Sequence, residues 1–169
     1  GFRRAHLDLT NALIAGCREA GVRRMLQMSA LNAGRGRSHY LQTRGEAEQK
    51  VRDSGLDWTL FQPSVIFGPG DGLFFRFATL LDLAPVLPLA KPGAKFAPVY
   101  VGDVGQAFVR VLRDPATIGQ TYELHGPEVL TLREIVAFVM DTTGHVRPIL
   151  PLGPGLSSLQ ARLLELLPG

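Results

Sequence analysis

The stretch Met25-Leu26-Gln27-Met28-Ser29 is a short apolar run that ends in a small residue. Such a run, too short for a typical helix, is characteristic of a buried strand in a parallel sheet. Apolar residues recur at helical spacing over residues 6–20, and Gly21 follows as a helix-ending residue. The sequence therefore predicts a helix, a tight link and then a parallel strand.

A second helix and a second strand follow this first pair. A glycine-rich polar loop over residues 32–37 leads to Ser38, which can cap a helix over residues 38–54. The next strand is predicted over residues 57–62 and stops at Pro63. Helices and strands that alternate with short links indicate an α/β protein with a parallel sheet wound by helices. Since a Rossmann-type sheet has ~6 strands, we expect the back half of such a doubly wound sheet.

The sequence changes character beyond residue 70. Prolines recur over residues 85–92, which predicts a rigid connector. Thr131 and Glu134 have the spacing of a capping box, at the start of a helix that ends near Gly144. We expect a smaller α/β subdomain, with some strands that return to the main sheet. Its other predicted elements are helices over residues 73–83, 103–112 (capped by Asp103) and 156–167, and strands over residues 97–101 and 121–124.

The composition argues against several classes of protein. The net charge is only +3, the basic residues are scattered, and there is no zinc-ligand spacing, so nucleic-acid binding is not predicted. No apolar run reaches the ~18 residues that a transmembrane segment needs. The four histidines lack paired metal-ligand spacing, so no metal site is predicted. A single cysteine cannot form an internal disulfide, which suits a reducing compartment.

Tyr40 and Arg44 are the candidate catalytic residues. They are four residues apart on a predicted helix and so share one of its faces. In this arrangement the cation can stabilise a phenolate and also donate hydrogen bonds to the hydroxyl groups of a ligand. Taken alone, the pair equally fits an ordinary surface pair. Its position between a strand that ends in Ser29-Ala30 and a strand that runs into Pro63 makes the pattern much more specific.

Several short segments occur along nearly the whole chain in an order typical of one superfamily. They are Gly21-Val22-Arg23-Arg24, Met28-Ser29-Ala30-Leu31-Asn32, Ser38-His39-Tyr40, Arg44-Gly45-Glu46-Ala47-Glu48, Asp57-Trp58-Thr59, and residues 62–71, 98–104, 122–127 and 148–151. The chain resembles the extended and atypical short-chain dehydrogenase/reductases, which include NAD-dependent epimerases/dehydratases and NmrA-like proteins. It looks most similar to the branch with the NADPH-binding accessory subunit of respiratory complex I, alpha-subcomplex subunit 9.

The resemblance implies that the protein binds a dinucleotide, NADP or NAD. It implies that residues 1–70 are the C-terminal half of an NAD(P)-binding Rossmann-like domain and residues 71–169 a small substrate or partner subdomain. Pro63 to Phe67 would border the nicotinamide through backbone groups and the proline ring, although locally the proline equally fits a strand terminator. The positions that match cofactor-binding residues are Ser29, Ala30, Tyr40, Arg44, Pro63, Ser64, Val65 and Ile66.

Two residues depart from the family pattern, and both concern catalysis. The family has Tyr-x-x-x-Lys, whereas Arg44 stands at the lysine position. Arginine keeps the charge and can donate to ribose hydroxyls, but its planar fork cannot place a compact ammonium in the same spot. The family's carbonyl-polarising serine or threonine is matched by Leu31, which cannot donate a hydrogen bond. The acid–base site is therefore degraded, whereas nucleotide binding can persist.

The pyrophosphate-binding loop of the family, Gly-x-x-Gly-x-x-Gly, is absent from the chain. Gly34-x-Gly36 follows a strand but leads into the wrong helix, and Gly68-Pro69-Gly70 fits a simple turn. We therefore expect a sequence truncated at both ends, which lacks about the first hundred residues of a domain.

Three functions remain open on the sequence alone. The first is an NAD(P)(H)-binding protein in a complex I accessory-subunit-like role, with a respiratory-chain or other protein partner. The second is an active NAD(P)-dependent oxidoreductase or epimerase with Tyr40 as acid/base. The third is a redox-sensing regulator of the NmrA type. The expected location is the bacterial cytoplasm, including the inner-membrane surface, or the mitochondrial matrix of a eukaryote.

Overall fold

The computed structural model describes residues 1–152, so the helix predicted over residues 156–167 lies outside the described part. The chain divides into unit 1, residues 1–66 and 99–126, and unit 2, residues 67–98 and 127–169. The helices are α1 (Leu9–Glu19), α2 (His39–Arg52), α3 (Leu73–Leu83), α4 (Val101–Leu112) and α5 (Leu132–Thr143). The strands are β1 (Arg24–Met28), β2 (Asp57–Pro63), β3 (Ile66–Phe67), β4 (Leu87–Ala90), β5 (Lys95–Phe96), β6 (Val99–Tyr100), β7 (Gln120–Leu124), β8 (Leu130–Thr131) and β9 (Ile149–Leu152).

A three-stranded parallel sheet forms the centre of unit 1. Its strand order is β1-β2-β7, and both pairs of neighbours are parallel. Helix α2 connects β1 to β2, and α4 precedes the return to β7. The parallel pairing predicted for β1 is confirmed. Its predicted burial is only partly right, because β1 lies at the edge of the described sheet and Met28 is 44% exposed.

Helices cover both faces of this sheet. Leu60 of β2 packs with Ile14 of α1 and Val51 of α2 in one buried cluster. The next residue, Phe61, points to the opposite face and stacks on Phe108 of α4, with 4.3 Å between the ring centroids. Apolar side chains on both faces of one strand are what a sheet with helices on both sides requires. The predicted doubly wound α/β fold is confirmed.

Helix α2 begins where the sequence predicts. Ser38 accepts a hydrogen bond from the backbone N–H of Leu41, which satisfies one of the free donors at the helix start. The glycine-rich loop before it packs directly on the helix. A Cβ atom at Gly45 would lie 2.4 Å from the Cα atom of Gly34, so only glycine fits there. This close contact fixes the path of the chain from β1 into α2.

Up to residue 152, unit 2 has two small sheets and two helices. Strands β4 and β9 pair in parallel, and β5 and β8 pair antiparallel. Its buried core joins α3, α5 and β4 through residues Leu81, Leu87, Leu89, Val136 and Val139. The predicted capping box is present, since Thr131 accepts from the Glu134 N–H and the Glu134 carboxylate accepts from the Thr131 N–H. Gly144 ends α5 in the left-handed conformation, as expected.

Two predictions about local structure were wrong. The proline-rich stretch is not only a connector, because it contains β4, in which Pro88 faces Leu150 of β9. Proline is tolerated there because β4 pairs with only one strand among the described residues. Asp103 does not cap α4, because the helix begins two residues earlier and the extended Tyr100 is its N-cap. Asp103 lies in the first turn instead, where a carboxylate interacts favourably with the helix dipole.

Candidate functional site

Tyr40 and Arg44 lie together on one face of α2, as the four-residue spacing predicts. The Arg44 guanidinium carbon is 5.4 Å from the centre of the Tyr40 ring, which is a cation–π distance. Arg44 Nη1 also donates to the backbone oxygen of Met28, 3.1 Å away, at the end of β1. The arginine therefore connects the helix to the carboxyl end of the first strand. This is the end at which ligands bind in open α/β sheets.

Two buried polar atoms at this end of the sheet have no protein partner. They are Ser29 Oγ and Arg44 Nε. Ser29 is only 5% exposed, and its backbone N–H donates to the oxygen of Phe61. Buried polar groups without partners are rare in folded proteins and need an explanation. A hydroxyl and a guanidinium N–H are groups that can bond to the hydroxyls of a nucleotide ribose, so these residues fit a dinucleotide.

The other predicted cofactor residues lie at the ends of β1 and β2. Ala30 is buried next to Ser29, and Pro63 is buried at the end of β2. Some of the backbone groups expected to face a nicotinamide are already bonded within unit 1. Leu31 N–H donates to the oxygen of Pro63, Ser64 N–H donates to the oxygen of Leu124, and Val65 oxygen accepts from Val99 N–H. Ile66 is half-buried and begins β3.

An aromatic cluster surrounds the Tyr40 ring, and the sequence did not indicate it. His6 lies edge-on to Tyr40 with 5.3 Å between the ring centroids, and Phe2 stacks on His6 at 5.6 Å. His6 belongs to a π-helical turn, Arg4–Asp8, at the start of the first helix. This turn buries His6 to 7% exposure and brings it against α2. Such local widenings of a helix often occur at functional sites.

The hydrogen bond of His6 fixes its protonation pattern. His6 Nδ1 is 2.8 Å from Thr43 Oγ1, and the Thr43 hydroxyl lies 2.8 Å from the backbone oxygen of His39. A hydroxyl has one hydrogen, and the carbonyl of His39 can only accept. The Thr43 oxygen therefore accepts from His6 Nδ1–H, and Nε2 carries the lone pair in the neutral ring.

The pKa of His6 makes unit 1 sensitive to acid. Burial lowers the pKa of His6 below its ordinary value of 6.5, and the positive charge of Arg44 lowers it further. The unfolded chain binds the proton at a higher pH than the folded chain does. The contribution of His6 to the stability of unit 1 should therefore be fully present above pH 6.5 and fall as the pH drops below that value, until the folded pKa is passed.

Urea denaturation between pH 5 and pH 8 would measure this effect through the fluorescence of Trp58, the only tryptophan in the sequence. Replacing His6 by phenylalanine keeps a ring beside Tyr40 and should remove most of the pH dependence in this range. His125→Phe, at an exposed position of unit 1, should keep it. A variant without His6 that retained the full pH dependence would contradict the assignment.

Glu48 is a second residue that the sequence did not single out. It is one turn beyond Arg44 on α2 and only 2% exposed. Its two carboxylate oxygens accept from Gln62 Nε2 at 2.8 and 3.0 Å, and Oε2 also accepts from Arg52 Nη2 at 2.9 Å. Buried carboxylates are rare unless they are paired, so this cluster could be recognised only once the fold had brought α2 against β2.

A separate cavity of about 500 Å³ lies within unit 2. Its polar groups are already bonded. Asp71 accepts from the backbone N–H of Phe74, and the hydroxyls of Thr142 and Thr143 donate to carbonyls of their own helix. The cavity is therefore mainly an apolar surface. Its lining residues are Gly68, Gly70, Asp71, Phe74, Phe75, Ala78, Phe138, Val139, Thr142 and Thr143.

Comparison with known proteins agrees with the geometry of unit 1. Residues 2–72 match the family described as NAD(P)H-binding. The chain is 31% identical over 145 residues to the mitochondrial NADH dehydrogenase [ubiquinone] 1 alpha subcomplex subunit 9 of Mus musculus, covering 84% of this chain and 38% of that protein. It is 33% identical over 139 residues to the protein of the same name from Arabidopsis thaliana, covering 80% of this chain and 34% of that protein. The chain thus spans about a third of the length of these curated relatives.

Solved structures give the fold. The UDP-glucose 4-epimerase of Thermus thermophilus, crystallised with NAD, superposes with a TM-score of 0.74 at 23% identity, covering 89% of this chain and 58% of that one. In the described part of the chain, no helix is both long and apolar enough to cross a membrane. Residues 2–72 thus match an NAD(P)H-binding family, in a chain that is homologous to alpha subcomplex subunit 9 and has the fold of a UDP-glucose 4-epimerase.

Proposed function

We propose that the protein holds NADP(H) or NAD(H) as a bound component with little turnover, in the manner of an accessory subunit. The observation that carries the proposal is the pair of buried, unpartnered polar atoms, Ser29 Oγ and Arg44 Nε, near the carboxyl end of β1. They provide donors for a nucleotide at the position where this fold binds one. The match of residues 2–72 to an NAD(P)H-binding family supports the same ligand.

Ser29 and Arg44 would hold the nucleotide through hydrogen bonds, and Tyr40 would lie beside the nicotinamide. When bound, the nicotinamide supplies hydride-transfer chemistry. Pro63 and Ala30 are buried and would exclude water from that side of the ring. These residues therefore account for binding without any acid–base step.

The same site lacks side chains that active relatives use to convert a substrate. Leu31, which stands where active relatives place a hydroxyl donor, has no side-chain donor, and its backbone N–H is bonded to Pro63. Arg44 contacts the face of the Tyr40 ring, and its planar guanidinium cannot place a compact ammonium beside the tyrosine hydroxyl as the family's lysine does.

The similarity to alpha subcomplex subunit 9 supports a protein partner, and we propose that this partner is a respiratory-chain complex. The corresponding location is the inner-membrane surface of a bacterium or the mitochondrial matrix of a eukaryote.

Titration with NADPH and NADP⁺ tests the proposed function. The full chain should enhance and shift the fluorescence of NADPH on binding, and NADP⁺ should displace it. The bound NADPH should be oxidised slowly or not at all when aldehydes and ketones are added. Absence of binding to either nucleotide would overturn the proposal, whereas fast oxidation would replace the accessory role by an enzymatic one.

A further inference from the structure

Two of the polar contacts that attach helix α2 to the sheet of unit 1 lie one helical turn apart. At the first, Arg44 Nη1 donates to the oxygen of Met28 in β1. At the second, Glu48 accepts from the side chain of Gln62 in β2. Residues at four-residue spacing share a helix face, so both attachments lie on the face that also carries Tyr40. Two fixed points on one face restrict the rotation of the helix about its axis.

The second attachment is the more buried of the two. Glu48 is 2% exposed, whereas Gln62 and Arg52 are partly buried. Arg52 is itself oriented, because its guanidinium carbon lies 5.8 Å from the Trp58 ring and Nη2 lies 3.5 Å from the hydroxyl of Thr121. Hydrogen bonds that involve a charged partner are about twice as strong as those between neutral groups. Glu48 therefore joins α2 to β2 through charge-assisted hydrogen bonds.

Gln62 is placed where this attachment can influence the nucleotide site. It immediately precedes Pro63, whose backbone oxygen accepts from Leu31 N–H next to the end of β1. The Glu48 carboxylate thus joins the helix that carries Tyr40 and Arg44 to the strand end that would border the nicotinamide.

We infer that Glu48 is a positioning residue of the nucleotide site, which fixes Arg44 and Tyr40 on α2 relative to the end of β2. The inference rests on the proposed function, because it concerns how the same site binds a nucleotide. Without the carboxylate, α2 keeps the Arg44 attachment but loses the buried one, so its rotation about its axis is held less firmly. Arg44 Nε then no longer points consistently at the position that a nucleotide would occupy.

Exchange of donor and acceptor provides the test. Glu48→Gln weakens the bond to Gln62 and removes the ion pair with Arg52, and we expect NADPH affinity to fall about tenfold. In the double variant Glu48→Gln/Gln62→Glu, the carboxylate stands on the strand and the amide on the helix. The hydrogen bond is restored, and the affinity should return to within about threefold of the original.

Two controls separate positioning from general stability. Ile14→Ala creates a cavity in the same core on the side of α1, so it should lower the unfolding midpoint of Trp58 fluorescence without changing NADPH affinity. Glu46→Gln, at an exposed carboxylate of the same helix paired with Arg3, should change neither quantity. Unchanged affinity in Glu48→Gln, or failure of the double variant to recover it, overturns the inference. If the unaltered chain binds no NADPH, the proposed function fails instead.

Discussion

Replacing Arg44 by methionine is expected to weaken NADPH binding about 100-fold, because each hydrogen bond to a charged group is worth ~1.5–3 kcal/mol and Arg44 offers more than one donor. Methionine fills a similar volume along the aliphatic stem, so the packing of α2 should survive. The variant removes the buried Nε donor and the contact with the Tyr40 ring together. Fluorescence titration with NADPH measures the loss directly.

Arg44→Lys is the informative companion variant. Lysine restores the pattern of the wider family, keeps the positive charge and can donate to ribose hydroxyls from a compact ammonium. We expect it to bind NADPH within about tenfold of the original chain. Lys50→Met removes an exposed cation from the same helix and should leave the affinity unchanged. Equal affinity of Arg44→Met and the original chain would place the nucleotide elsewhere.

The elements of unit 1 could be predicted because their signals are local. Apolar spacing, Gly21 as a helix end and Ser38 as a helix cap each depend on a few neighbouring residues. The predicted helix over residues 73–83 agrees with α3 for the same reason. Local signals fail where pairing is decided at a distance. Strand β4 is an example, because its partner β9 lies some sixty residues further along the chain.

Some residues of the candidate site could likewise be predicted from local sequence, and others could not. The Tyr40–Arg44 pair was predictable, since four-residue spacing on one helix implies a shared face. His6 and Glu48 were not, because each meets its partners only after folding. His6 lies 34 positions before Tyr40 in the sequence and contacts it from another helix. The π-helical turn that makes this contact possible has no recognisable sequence motif. Glu48 and Glu46 are on the same helix, but Glu48 lies on the side of α2 that the sheet covers, whereas Glu46 is exposed.

Arg24 shows why a pair of adjacent cations can have unrelated roles. On sequence, Arg23-Arg24 is only a local concentration of charge. In the structure, the Arg23 side chain is 76% exposed and pairs with Asp57 at 3.2 Å. Arg24 points into unit 1 and donates four hydrogen bonds, to the oxygens of Asp57 and Val111 and to the hydroxyls of Thr59 and Thr117. These bonds connect β1, β2 and the end of α4.

Arg24→Met should therefore lower the free energy of unfolding of unit 1 by about 3 kcal/mol, because several part-buried acceptors lose a charged donor at once. Arg23→Met is the matched control, with the same change at the neighbouring position. It should lower the free energy by less than about 1 kcal/mol, as expected for an exposed ion pair. Urea denaturation followed by Trp58 fluorescence compares the two, since Trp58 lies in β2 beside this network. Equal effects of the two variants would mean that the four bonds of Arg24 contribute no more than one surface ion pair.

Arg24→Lys should lower the free energy of unfolding nearly as much as Arg24→Met does. Three donors on a flexible stem cannot reproduce the planar fork that reaches all four acceptors.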